Sequence, residues 1–204
     1  GAYLAATAVT MAAAHKVPPE LGFVLMLVSV ALIAAAIGLL MERGLIKLFY
    51  GRDEVVLLLV TYAGFLIFED VTKLIWGVNP IYANDPYQLF GNVEFAGLFY
   101  VGYDLMLIPF SAAVGFAVWF ALNRTMIGKI VTAVIHNAEM SASMGVKINR
   151  VYALAFAFGV MLAALAGGLT APKISVQPGL SSEIIILSFA IVVIGGLGSI
   201  EGAA

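Results

Sequence analysis

The chain contains no cysteine, which removes disulfide frameworks, thiolate nucleophiles and cysteine-held metals from consideration. Charge is scarce too: Asp, Glu, Lys and Arg make up 11% of the 204 residues, where soluble domains carry about a quarter. The net charge of -2 comes without any long basic run, so the electrostatic footprint of a nucleic-acid binder is missing. Histidine is limited to His15 and His136. Only His136 has a carboxylate at helical ligand spacing, Glu139, and one such pair falls far short of a metal site. No Gly-rich loop followed by Lys-Ser or Lys-Thr is present, so the chain is not itself an ATPase. Ionisable groups are almost absent from the middle of the apolar segments, where a membrane enzyme or proton pump would place them. We assign no catalytic residues, no metal ligands and no cofactor bound by this chain.

What remains is apolar. Hydrophobic residues reach 63% and mean hydropathy is +1.07, more than a soluble core of this length can bury. The solvent is lipid, and the expected fold class is all-α, a polytopic transmembrane helical bundle. A helix crossing about 30 Å of hydrocarbon needs about 20 residues. By that measure the chain is one transmembrane domain, 1–204, with spans near 1–14, 22–41, 55–75, 105–122, 151–171 and 184–197. The turn His15 to Glu20 carries Pro18 and Pro19. No series of alternating ten-residue segments suggests a strand barrel. The sequence begins at Gly1 within an apolar stretch and stops at Ala204 in another, without initiator methionine or signal peptide. It reads as a fragment lacking both ends.

Basic residues mark the cytoplasmic loops. Arg43, Lys47 and Arg52 occupy the loop Glu42 to Glu54, and Arg124, Lys129, Lys147 and Arg150 occupy the loop 123–150. The opposite side holds Lys16, Lys73 and Lys173. The segment Glu69 to Asp104 has five carboxylates against the single Lys73, and we place it outside, where it either meets a delivery protein or folds over the bundle. Strict alternation of the six spans agrees with this at every loop.

Two groups of residues hold candidate functional positions. Glu69 and Lys73 have the i, i+4 spacing of a helix-surface ion pair, read as an interfacial helix end in preference to a proton relay. Gly167 and Gly168 close the fifth span, and Gly195, Gly196, Gly198 and Ser199 interrupt the sixth. Glycines at these places serve close packing or open a helix break that exposes amides to a solute pathway.

The loop Asn123 to Arg150, NRTMIGKIVTAVIHNAEMSASMGVKINR, is too long for a hairpin. Ile130, Val134 and Ile135 recur at helical spacing, Asn137 is placed to cap a second short helix, and Gly145 to stop it. An amphipathic helix here either docks a cytoplasmic partner or rests on lipid. The segment RTMIGKIVTAVIHNAEMSASMGVKINRVYALAFAFGVMLAALAGGL, followed by VVIGGLGSIEGAA, resembles the permease subunits of bacterial ABC importers for branched-chain amino acids, amides and urea. The resemblance is carried by Arg124, Thr125, Gly128, Ala133, Asn137, Glu139, Gly145, Asn149, Ala166, Gly167, Gly195, Gly196, Gly198, Ser199 and Gly202, and the opening GAYLA fits the family's early helix. Met140 and Ser141 stand where the family favours two alanines.

The resemblance implies a permease working by alternating access in the inner membrane of a bacterium or archaeon. It implies a second permease subunit, two cytoplasmic ATP-binding subunits with ATP bound there, and an extracytoplasmic solute-binding protein. Asn137, Glu139, Ser141 and Gly145 would then form the coupling element seated on the ATPase. The rival reading is an ATP-independent channel or secondary transporter, which usually carries intramembrane charge for coupling or selectivity.

Overall fold

The computed structural model describes residues 1–49, 52, 54–82, 87, 91–95 and 98–195. Eight α-helices occur among them: α1 (Ala2–Ala14), α2 (Pro19–Gly44), α3 (Glu54–Trp76), α4 (Gly102–Arg124), α5 (Met126–His136), α6 (Ala138–Ser143), α7 (Ile148–Thr170) and α8 (Leu180–Gly195). A 3₁₀ turn, Ile46–Phe49, follows α2. A helix therefore occupies each of the six apolar segments. Those of α2 with its 3₁₀ turn, α4 and α7 are long and apolar enough to cross a membrane. The all-α expectation holds, with one addition. Strands β1 (Asn92–Phe95) and β2 (Leu98–Val101) pair antiparallel, with Asn92 opposite Val101 and Phe95 opposite Leu98. The sequence pattern does not announce these strands, because four residues are too short to show a period against the surrounding apolar background.

The core is a seam between α2 and α7. Pro18 and Pro19 start α2, since proline at the first helical position forfeits only an amide that has no partner there. The buried face of α2 repeats every fourth residue: Gly22, Met26, Val30, Ala34, Gly38 and Glu42. Against it α7 sets Ala153, Ala157, Ala164 and Gly168. Small residues let the two backbones approach, and dispersion then replaces the hydrophobic effect as the main attraction inside lipid. The approach is close at Gly38, where an added Cβ would lie 3.0 Å from the Ala157 Cα. Ala5, Ala6 and Val9 of α1 complete the cluster. The chain reading ended this second span at Met41, with Glu42 as the first loop residue; instead α2 runs to Gly44 and Glu42 is buried at 1% exposure.

Large apolar side chains cover the outside, among them Leu32, Leu40, Ile67, Ile108 and Phe116, each more than half exposed. Such a continuous apolar surface is stable in a bilayer and not in water. The helix ends nearest the acidic segment are joined by polar contacts. Tyr103 donates its hydroxyl to the Leu169 carbonyl, Lys173 pairs with Asp104 at 2.9 Å, and Ile81 and Val176 exchange two backbone hydrogen bonds of 2.9 Å. Phe23 meets Tyr103 edge-on at 6.3 Å.

Candidate functional site

The connection between α4 and α7 folds into two short helices held by local hydrogen bonds. Thr125 stops α4 with an extended backbone and starts α5. Its hydroxyl donates back to the Ala121 carbonyl and accepts from the Gly128 amide at 3.1 Å. Gly128 packs directly on the Ala121 and Leu122 carbonyls, leaving no room for a side chain. The turn from α4 into α5 takes this close form because residue 128 has none. Helix α5 is strongly amphipathic: Ile127, Ile130 and Ile135 project outward while Val134 is buried. Its polar side, with Lys129, Thr132 and His136, forms a groove with Leu122 and Asn123 at the end of α4.

Asn137 breaks α5 and caps α6. Its side-chain oxygen accepts from the Met140 amide at 2.9 Å, satisfying an amide that lacks a partner at every helix start. Ser141 lies directly beneath, 6% exposed, with its hydroxyl donated to the Asn137 carbonyl at 2.8 Å. Gly145 ends the element with φ +86, a left-handed conformation that side chains disfavour. The Val146 amide bonds the Ser141 carbonyl and the Gly145 amide bonds the Ala142 carbonyl, the paired closure of a Schellman motif. Glu139, Met140 and Met144 point outward from this frame. Of the four residues singled out in the sequence, Asn137, Ser141 and Gly145 therefore hold the element together, and Glu139 is the one available to a partner.

The glycine positions separate. Helix α7 runs through Gly167 and Gly168 without a break and ends at Thr170. A Cβ on Gly168 would touch Ala5 and Val30, and one on Gly167 the Ala2 amide at 3.3 Å. The helix is thus unbroken at this pair, and Gly167 closely approaches the start of α1. Gly195 is the last residue of α8, whereas Gly196, Gly198 and Ser199 lie outside the described residues. Among the described residues no cluster of three His, Asp or Glu side chains gathers.

The ion pair expected at Glu69 and Lys73 forms, and it has aromatic neighbours that the sequence does not announce. Lys73 Nζ lies 3.0 Å from Glu69 Oε1 and 3.4 Å from Asp70 Oδ1. Facing this end of α3, the Tyr3 ring of α1 stands 5.5 Å from the Trp76 ring, and the Trp76 indole donates to the Thr7 hydroxyl at 2.7 Å. The i, i+4 charge spacing was legible; the aromatic partner, 69 residues away in the chain, was not.

The sequence pattern of the family described as branched-chain amino acid transport system, permease component, matches residues 1–204. The chain belongs to this family. The permease is 28% identical over 116 residues to the high-affinity branched-chain amino acid transport system permease protein BraD of Pseudomonas aeruginosa, covering 56% of this chain and 38% of that protein. It is 27% identical over 123 residues to the probable branched-chain amino acid transport permease protein LivH of Methanocaldococcus jannaschii, 60% of this chain and 36% of that one. It also matches the ribose import permease protein RbsC of Bacillus subtilis, 28% identical over 142 residues, 68% of this chain and 42% of the relative. Each alignment thus spans about two-fifths of the relative's length. No solved structure matches it.

Proposed function

We propose that this permease is the membrane subunit of an ABC importer for branched-chain amino acids or related small polar solutes, and that α5 and α6 form its coupling element. The observation that carries the reading is the frame around Asn137. A docking element transmits force only if it moves as a unit, and the caps at Thr125 and Asn137 with the closure at Gly145 make it one. Its exposed surface combines one carboxylate, Glu139, with the adaptable thioethers of Met140 and Met144. A cytoplasmic ATP-binding subunit seated there would pass its closure upon ATP binding to α4 and α7, because the element joins both helices directly.

In this reading the excess of Lys and Arg puts loops 42–54 and 123–150 in the cytoplasm, the hairpin segment outside, and the chain in the inner membrane of a bacterium or archaeon. All six apolar helices cross or enter the bilayer. A second permease subunit completes the pathway, and an extracytoplasmic solute-binding protein delivers the solute. The naming of two relatives for branched-chain amino acids supports that solute class.

The test is co-purification. The full-length permease should retain its cytoplasmic ATP-binding subunit through detergent extraction, and replacing residues 139–145 by a flexible linker should abolish the association. Retention of the ATPase by the linker variant would show that coupling lies elsewhere.

A further inference from the structure

The charged turn of α3, with Glu69, Asp70 and Lys73, interrupts an otherwise apolar run and lies outside the coupling element. Glu69 lies seven residues before the end of α3, about 10 Å below Trp76 along the axis. Its side chain is 16% exposed and that of Lys73 37%. A carboxylate with so little exposure is costly to keep charged unless it is paired. On α1, the Tyr3 hydroxyl is buried without a hydrogen-bond partner among the described residues, and the Tyr3 ring lies 5.5 Å from the Trp76 ring. A buried hydroxyl left unpaired is destabilising, so it marks a place where a missing partner fits. The Trp76 ring beside it is fixed in orientation, because its indole bonds Thr7 and the Thr7 hydroxyl in turn bonds the Tyr3 carbonyl at 2.9 Å.

We propose that Tyr3, Glu69, Lys73 and Trp76 form a subsite for the zwitterionic head of an amino acid in transit, an inference that rests on the importer reading above. Glu69 receives the ammonium group. Lys73 and the Tyr3 hydroxyl receive the carboxylate, and the Trp76 ring lies against the aliphatic side chain. Charge balance selects the ligand. Asp70, 3.4 Å from Lys73 but 75% exposed, stays with solvent, and a zwitterion, with one charge of each sign, inserts between Glu69 and Lys73 and leaves both paired. A lone anion would satisfy Lys73 and strand the little-exposed Glu69, the expensive outcome for an ion pair away from water, and a lone cation would leave Lys73 to the solvent-exposed Asp70 and the Tyr3 hydroxyl empty. A neutral sugar gains nothing from the separated charges.

The measurement is binding of radiolabelled L-leucine to the full transporter in lipid nanodiscs, by scintillation proximity, with no solute-binding protein present. Wild type should bind saturably. Glu69→Gln and Lys73→Met should each weaken affinity by about tenfold or more, as loss of a hydrogen bond to a charged group does, and Tyr3→Phe by several-fold. Glu69→Asp and Lys73→Arg, which keep the charges, should stay within a few-fold of wild type and control for folding. Leucinamide, lacking the carboxylate, should compete poorly with leucine on wild type and relatively better on Lys73→Met. Unchanged leucine affinity in Glu69→Gln and Lys73→Met overturns the subsite, as does absence of saturable binding to a wild-type complex that retains its ATPase. A wild type that binds leucine through these residues but holds no ATPase would support the subsite and overturn the importer reading.

Discussion

The Tyr103 hydroxyl and the Leu169 carbonyl lie 2.7 Å apart, and this bond ties the first turn of α4 to the last turn of α7. Tyr103 is fully buried, so its removal strands a carbonyl that has no helical partner of its own. Tyr103→Phe keeps the ring contact with Phe23 and should lower stability by about 1–3 kcal/mol. Thermal unfolding in detergent measures it; an unchanged midpoint would mean that water replaces the hydroxyl.

Gly128→Ala should be far more damaging than its size suggests. The new methyl meets the Ala121 and Leu122 carbonyls, and backbone oxygens cannot swing aside as a side chain would. We expect the α4–α5 reversal to open and ATPase association to fall, with about 1–3 kcal/mol of overpacking strain. Normal association in Gly128→Ala would show that the reversal tolerates a wider turn.

Asn137→Ala removes the cap of a six-residue helix, at a cost of about 1 kcal/mol. A helix so short has little reserve. Amides 138–143 should exchange faster with deuterium while the spans are unaffected, and Asn137→Asp should restore protection. Equal exchange in Asn137→Ala and wild type would place the rigidity of α6 in other contacts.

The two glycines of the central seam should respond oppositely. At Gly168 a methyl finds ordinary contacts of 3.5 to 3.8 Å with Ala5 and Val30, so Gly168→Ala should be neutral or slightly stabilising through helix propensity, about 1 kcal/mol at most. At Gly38 the obstacle is the Ala157 backbone at 3.0 Å, and Gly38→Ala should destabilise. If Gly168→Ala instead blocks transport at unchanged stability, the position belongs to the solute pathway.

The lack of cysteine in the sequence makes topology directly measurable. In intact cells a membrane-impermeant maleimide should label Asn79→Cys and spare Ser143→Cys, which should react only after permeabilisation. The reverse pattern would invert the charge-based orientation.

The helices were legible because each apolar run announces its length, and α5 and α6 because Asn137 and Gly145 punctuate them chemically. Legibility ended where one segment depends on a distant one. Nothing around Tyr3 predicts Trp76, and nothing around Glu42 shows that α7 will cover that face of α2; in a lipid-facing sequence buried and exposed apolar positions carry the same residues. The glycine pair 167–168 is ambiguous in sequence for a related reason, since a residue without a side chain serves tight packing and unwinding equally well.

Helix α4 is tied to the end of α7 at its start, and its far end is held only through α5. Tyr103 and Asp104 pin its start to Leu169 and Lys173, and beyond Tyr103 none of its residues is buried against the rest of the chain. Its far end carries the α5 reversal. Mechanically this is a lever with its fulcrum at Tyr103 and Asp104. Over 23 residues its arm is about 35 Å long, so a tilt of about 5° displaces the tip by about 3 Å. A modest stroke at Thr125 can thus swing the whole helix while its pivot bonds stay intact.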